Sequence, residues 1–224
     1  MNEIRISKNE ELFSLFAKLG AQCYRGVSNS DYKLIPKIGR YSYVSVDLEA
    51  RILNQFKNLS LPHLDKIPRN DWEWLALSQH HGLATRLLDW THNPFVAAYF
   101  ATEKHSPTDS AIYSFEIGEL VGNVSYKDEP DPFSVKDVGV FHPPHLSTRI
   151  TVQSSLFTIH PDPNQAFEYE KITKIILPKD IKHKLKSLLD GFGIHNFSIF
   201  PDLDGLSKYL NLFPELMDKL FTSK

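Results

Sequence analysis

Cysteine is nearly missing from this chain: Cys23 is the one thiol in 224 residues. That excludes an intramolecular disulfide and any cysteine-rich zinc site, and it fits a reducing compartment. No segment approaches the roughly 20 apolar residues of a membrane-spanning helix. The first ten residues, MNEIRISKNE, hold no apolar run, so no signal peptide is expected. These absences give the expectation of a cytoplasmic protein with no membrane partner. Charge of one sign is also lacking, the formal net charge being −2. A general footprint for nucleic acid is therefore absent, although a local basic groove stays open. There is no Gly-x-Gly-x-x-Gly, no Walker sequence and no Gly-x-Ser-x-Gly, which excludes the P-loop, the Rossmann fingerprint and the nucleophile elbow. No His-Glu-x-x-His occurs among the ten histidines. His80 and His81 are adjacent, so their side chains diverge on a helix, and Pro143-Pro144 separates His142 from His145. No metal is expected. Internal repeats and low-complexity tracts are missing too.

What is present is an ordinary globular composition, 42% hydrophobic, on a chain long enough to bury a full core as one domain spanning residues 1–224. Ser7 and Glu10 have capping-box spacing ahead of Leu12, Leu15, Phe16 and Leu19, which predicts a helix closed by Gly20. QCYRGV reads as a short strand. Leu48, Ile52, Phe56 and Leu59 predict a helix over 46–59, and Asn70-x-x-Glu73 predicts another over 71–81, stopped at Gly82. TRLLDW reads as a buried strand, and Asn93-Pro94 as the start of a helix with proline in its first position. SAIYSFEI, RITVQSSLFTIH, EKITKIILP and NFSIF read as strands, with helices over 179–190 and 203–221. Residues 118–148 read mostly as loop. Strands and helices are segregated more than alternated. The expected class is α+β, with a mixed, split β-sheet flanked by helices.

Polar residues concentrate in one block, WLALSQHHGLATRLLDWTHNPFVAAYF, from Trp74 to Phe100. Gln79 and His80 fall in a last helical turn, and His81-Gly82 forms the corner. Arg86 and Asp89 lie three apart on the strand, hence on opposite faces, so no ion pair between them is implied. A carboxylate beside Trp90 needs a donor. Thr91 and Asn93 can cap the next helix. Upstream, Arg25 interrupts an apolar strand, and Gly26 behind it permits close approach of a ligand or of another backbone. Downstream, Arg149 and Gln153 share a face if RITVQSSLFTIH is one strand, and Ser155 joins them unless a bulge intervenes. Glu168 and Glu170 sit in DPNQAFEYEK, which reads as a solvated turn. The block is either the floor of a site or a buried polar network that holds helix, strand and helix together.

The segments CYRGV, WLALSQHHGLATRLLDWTHNPFVAAYFA, RITVQSSLFTIHP and IFPDLDGL resemble, in order, the motifs of the FRG domain. That bacterial and phage-associated family is named for its aromatic-Arg-Gly motif. The resemblance covers about residues 22–210. A weaker likeness runs to ADP-ribosyltransferase folds of the Arg-Ser-Glu type. That likeness implies NAD as ligand, with Tyr24-Arg25-Gly26 on a first strand, where the arginine holds phosphate or ribose. It implies Asp89-Trp90-Thr91 ahead of a helix carrying Ala97, Ala98 and Phe100. It also implies a third strand on which Gln153 takes the first motif position, while Ser155 stands where the catalytic glutamate belongs. A serine gives a ribosyl cation no Coulombic support, so the carboxylate has to come from Asp89 or Glu170.

The site expected from these readings has Arg25, Asp89, Gln153 and Glu170 as its catalytic set. Tyr24, Gln79, His81, Arg86, Trp90, Thr91 and Arg149 contact a nucleotide-like ligand. The corresponding function is a toxin or phage-defence effector acting on NAD, as a transferase or a glycohydrolase. Two other readings stay open. One is a metal-independent nuclease or RNA-binding effector using Arg25, Arg86, Arg149 and the histidines, with a nucleic-acid or protein target. The other is a regulatory domain without catalysis.

Overall fold

The computed structural model describes residues 1–20, 22–41, 45–104, 107–118, 122–125, 127–143 and 152–212. Its frame is a mixed sheet of seven strands: β1 (Asn2–Arg5), β2 (Cys23–Val27), β3 (Leu87–Thr91), β4 (Ser110–Phe115), β5 (Gly139–Phe141), β6 (Ser155–Ile159) and β7 (Thr173–Leu177). The spatial order is β1-β7-β4-β2-β3-β6-β5. Only β1 and β7 run parallel; the other neighbours are antiparallel. The helices are α1 (Asn9–Leu19), α2 (Val46–Ser60), α3 (Asp71–His80), α4 (Pro94–Thr102), α5 (Lys179–Gly191), α6 (Asn196–Ile199) and α7 (Leu203–Leu210). The α+β class with a mixed sheet is as expected, and no described helix is long and apolar enough to cross a membrane.

Local chemistry explains most boundaries. Ser45 caps α2 by accepting from the Leu48 amide, Asn70 caps α3 through Glu73, and Asn93 caps α4 through Phe95. Gly82, at φ +90°, ends α3 in a conformation that disfavours a side chain. The start of α1 differs from the expected capping box. Glu11, not Glu10, reaches back, its carboxylate accepting from the Ser7 amide and the Ser7 hydroxyl, both at 2.7 Å. Three elements depart from the sequence reading. NEIR at the N-terminus is an edge strand, GVF at 139–141 is a strand inside the expected loop, and NFSI is a helical turn capped by His195 instead of a strand.

The sheet is split in its centre. β2 and β3 share a single register pair, Tyr24 with Thr91, whereas β2–β4 and β3–β6 each pair over five residues. Two helical layers cover one face of the sheet. The first, from α1, α4 and α5, packs Leu12, Ala97, Ala101 and Leu185 on Tyr24, Ile112 and Ile175. The second, from α2 and α3, packs Leu53, Trp72 and Leu75 on Leu87, Phe157 and Ile159. Because Tyr24 pairs with Thr91, and Leu87 shares the Thr91 face, both layers lie on the same side and flank the split. Loop residues Leu34, Phe167 and Tyr169 cover the opposite face against Val27, Trp90 and Phe115.

Gly26 is where α4 meets β2. A Cβ placed there would overlap the Ala97 carbonyl and crowd the Ala101 amide. The close approach allowed by this glycine is therefore to backbone. Gly26→Ala is expected to lower the unfolding free energy by about 1–3 kcal/mol through overpacking. Urea titration of the two proteins measures it, and an unchanged midpoint with an unchanged slope would show that α4 can step back.

Candidate functional site

At the split, Arg25 occupies the place of the missing ladder. Its NH1 donates to the Asp89 carbonyl at 2.6 Å and lies 3.5 Å from Asp89 Oδ2. Alternation puts Arg25 on the Cys23–Val27 face and Asp89 on the Leu87–Thr91 face; the gap between the strands lets them meet. The Arg25 side chain is 16% exposed and that of Asp89 is 56% exposed. Burial weakens the hold of the guanidinium on its proton, the Asp89 carboxylate opposes this, and nearby Arg40 adds to it. A half-exposed carboxylate in an inner strand, between two helical layers, is the least ordinary feature of the sheet.

Gln79 arrives from the last turn of α3. Its Nε2 donates to Asp89 Oδ2 at 3.0 Å, and its Oε1 accepts from the Thr85 hydroxyl at 2.6 Å. Thr85 Oγ1 in turn accepts from the Leu87 amide at 3.1 Å. Thr85 is buried and was not among the site residues expected from the sequence. Its only signal there is its position three residues after the Gly82 turn. Asp89 Oδ1 has no protein partner among the described residues.

The other expected site residues go elsewhere. Tyr24 is buried under the helical layer, with its hydroxyl on the Gly20 carbonyl at 3.0 Å and its ring edge-on to Phe16. Trp90 is buried on the opposite face against Phe115, and its indole N–H donates to Thr158 Oγ1 at 2.9 Å. Neither lines the split. Thr91 is buried and donates to the Gln153 carbonyl at 2.6 Å while accepting from the Asn93 amide at 3.0 Å, so it holds the strand-to-helix corner. His81 is exposed just past α3, its ring edge-on to His80 at 5.0 Å. Glu170 is exposed in the turn before β7, and no hydrogen bond or ion pair among the described residues joins it to Arg25 or Asp89.

One expectation fails on backbone geometry. Gln153 does not lie on a strand. β6 begins at Ser155, preceded by a turn in which Ser154 takes a φ of +47°. Gln153 therefore points its Nε2 at the Ile199 carbonyl, 3.1 Å away, and shares no strand face with its neighbours. Arg149 lies outside the described residues, so the face it was expected to share with Gln153 is undefined there. Ser155 opens β6 directly opposite Thr91, whereas Asp89 faces Phe157.

Arg86 leaves the site altogether. It is fully buried and paired with Glu49 of α2, NH2 to Oε2 at 2.9 Å. The groove in which Arg25, Arg86 and Arg149 would grip nucleic acid thus loses its middle member. A cavity of about 280 Å³ lies beside Glu49, lined also by Ile38, Ser45 and Asp162, away from the split. No group of three or more metal-ligating side chains occurs among the described residues.

Residues 20–110 match the family model of the FRG domain. The chain carries an FRG domain. The matched stretch holds β2, α2, α3, β3 and α4, and with them Arg25, Glu49, Gln79, Thr85, Arg86 and Asp89. Gln153, Ser155 and Glu170 fall beyond it. No curated protein and no solved structure matches the chain. The likeness to ADP-ribosyltransferase folds accordingly finds no structural support.

Proposed function

We propose that the split between β2 and β3 in this FRG domain takes a nucleotide-type ligand, with NAD as the leading candidate. In this reading the protein is an ADP-ribosyltransferase-like or NAD glycohydrolase-like toxin or phage-defence effector in bacteria. One observation carries it: Asp89 presents an exposed carboxylate with one oxygen unpartnered among the described residues, beside a largely buried guanidinium. Among the described residues only NH1 of Arg25 is hydrogen-bonded, which leaves Nε and NH2 as donors for phosphate. Asp89 would stand by the ribose as the bond from its anomeric carbon to nicotinamide breaks. The electron pair goes to the ring nitrogen, and water or an acceptor nucleophile takes the cation. A carboxylate about 4 Å from a unit positive charge gains about 4 kcal/mol at an effective dielectric of about 20, roughly a thousandfold in rate.

The test is nicotinamide release from NAD, together with the NAD-dependent shift in melting temperature. Release is expected from the native protein. Asp89→Asn is expected to lower it by about 100-fold or more, with stability within about 1 kcal/mol because the side chain is exposed. Arg25→Ala should weaken the response to NAD. No release and no thermal shift in the native protein would end the NAD reading. Asp89→Asn costing several kcal/mol would instead favour a purely structural network.

A further inference from the structure

We infer that Thr85 and Gln79 are positioning residues, forming a relay that holds the Asp89 carboxylate by Oδ2 and turns Oδ1 outward to the ligand. The inference rests on the reading of the split as the ligand site, but the relay itself stands on hydrogen-bond directions. The Leu87 N–H can only donate, so Thr85 Oγ1 accepts it. The Thr85 hydroxyl hydrogen is then free to point at Gln79, and the 2.6 Å contact is the length of an O–H···O bond, shorter than an N–H···O bond usually is. Gln79 therefore turns its Oε1 to Thr85 and its NH2 to Asp89.

The other end of the amide gives the same answer. Asp89 is acceptor-only when ionised, and its Oδ2 lies 3.0 Å from the Gln79 side chain. A flipped amide would set two acceptors against each other there. Both ends thus fix one orientation. Arg25 NH1 approaches that same Oδ2 from the other side of the split at 3.5 Å. Oδ2 is occupied, and the carboxylate can rotate little about its bond to Cβ without losing a donor. Oδ1 is the oxygen with no protein partner among the described residues. Thr85 is buried and Gln79 half-buried, so neither hydroxyl nor amide oxygen is a natural ligand contact. The role of Gln79 is thereby moved from ligand contact to orienting the Asp89 carboxylate.

The experiment compares native protein, Thr85→Ser, Thr85→Val and Gln79→Leu in the full chain. The Gln79 side-chain amide is followed by 15N NMR, and NAD is the ligand probe for nicotinamide release and thermal shift. A locked Gln79 amide should give two well-separated proton signals that exchange slowly in the native protein and in Thr85→Ser. Thr85→Val should collapse or speed them, and both Thr85→Val and Gln79→Leu should lower the NAD response at least tenfold, with Thr85→Ser close to native. Unchanged amide signals in Thr85→Val overturn the relay. Lost signals with an undiminished NAD response overturn its positioning role. If Thr85→Val does not fold, a native NAD response in Gln79→Leu overturns the role by itself. Should the native protein show the locked amide but no NAD response, the relay stands and the NAD reading falls.

Discussion

Arg86→Met is expected to lower the unfolding free energy by about 3–5 kcal/mol, among the largest effects of any single substitution in this chain. The arginine side chain is wholly buried and its partner Glu49 nearly so. Glu49 Oε1 accepts from the Arg86 amide at 2.8 Å, and Oε2 accepts from Nε at 3.0 Å. The guanidinium also lies over the Phe133 ring, 4.7 Å from its centroid. Burial already raises the Glu49 pKa above the usual carboxylate value, and Arg86 pulls it back down. Methionine fills the volume of the stem but removes that restraint, so Glu49 must either stay charged without a partner or take up a proton. A carboxyl whose folded pKa is raised contributes stability below its unfolded value, about 4.5, and loses it as pH climbs through the folded value. The deficit of Arg86→Met relative to the native protein should therefore shrink on acidification.

Chemical denaturation at neutral pH and near pH 5 reads both effects. Adding Glu49→Gln to Arg86→Met should recover much of the loss, because the unpaired charge is gone while an acceptor for the Arg86-position amide remains. A single Arg86→Met within about 0.5 kcal/mol of native stability would mean that the pair contributes little beyond packing.

The second large effect is acid sensitivity centred on His160. This histidine is buried on the loop-covered face, with its ring edge-on to Phe167. Trp90 donates to Thr158 Oγ1, and Thr158 Oγ1 lies 2.8 Å from His160 Nε2, so the threonine hydroxyl can donate to that nitrogen in the neutral tautomer protonated at Nδ1. Burial pushes the His160 pKa from 6.5 down to about 3, with Arg25 and Arg86 adding to the shift. Between those values the unfolded chain binds a proton that the folded chain refuses. Stability is thus complete above about pH 6.5 and falls as pH drops towards 3. From pH 6.5 to 4.5 the loss should reach roughly 2–3 kcal/mol.

Glu11, Asp109 and Asp162, whose hydrogen bonds lower their pKa values, add their own acid losses only towards the lower end of that window. His142, lowered by burial and by His92, acts with the same sign, so the comparison is best made in a His142→Gln background. There, His160→Gln should remove close to one proton from the slope of stability against pH. A slope that His160→Gln leaves unchanged would place the acid sensitivity elsewhere.

Much of this molecule was written in local sequence. Ser45, Asn70 and Asn93 mark helix starts because a side-chain oxygen can cap free amides without help from the rest of the chain. The short, mostly apolar runs Leu87–Thr91 and Ser110–Phe115 give strands, and the run of small alanines after Pro94 gives a helix that can lie close to its sheet. The aromatic-Arg-Gly motif and the 74–100 block disclosed the FRG domain and placed Arg25 and Asp89 among its polar residues.

Local pattern could not assign partners. Glu49 looks like any acid in a first helical turn, and its pairing with Arg86, 37 residues on, exists only once α2 folds over β3. Alternation alone would read Tyr24, Arg25 and Asp89 as three polar candidates. Register decides that the first is core, while the opening of β2 from β3 lets the other two meet across opposite faces. Gln153 reads as strand by composition, yet a backbone turn at Ser154 sets it outside β6. The sequence by itself marked Arg25, Gln79 and Asp89 as polar candidates and disclosed most of the elements that hold them. The tertiary structure alone decided which of them meet, because burial and pairing depend on segments that are distant along the chain and adjacent only in the fold.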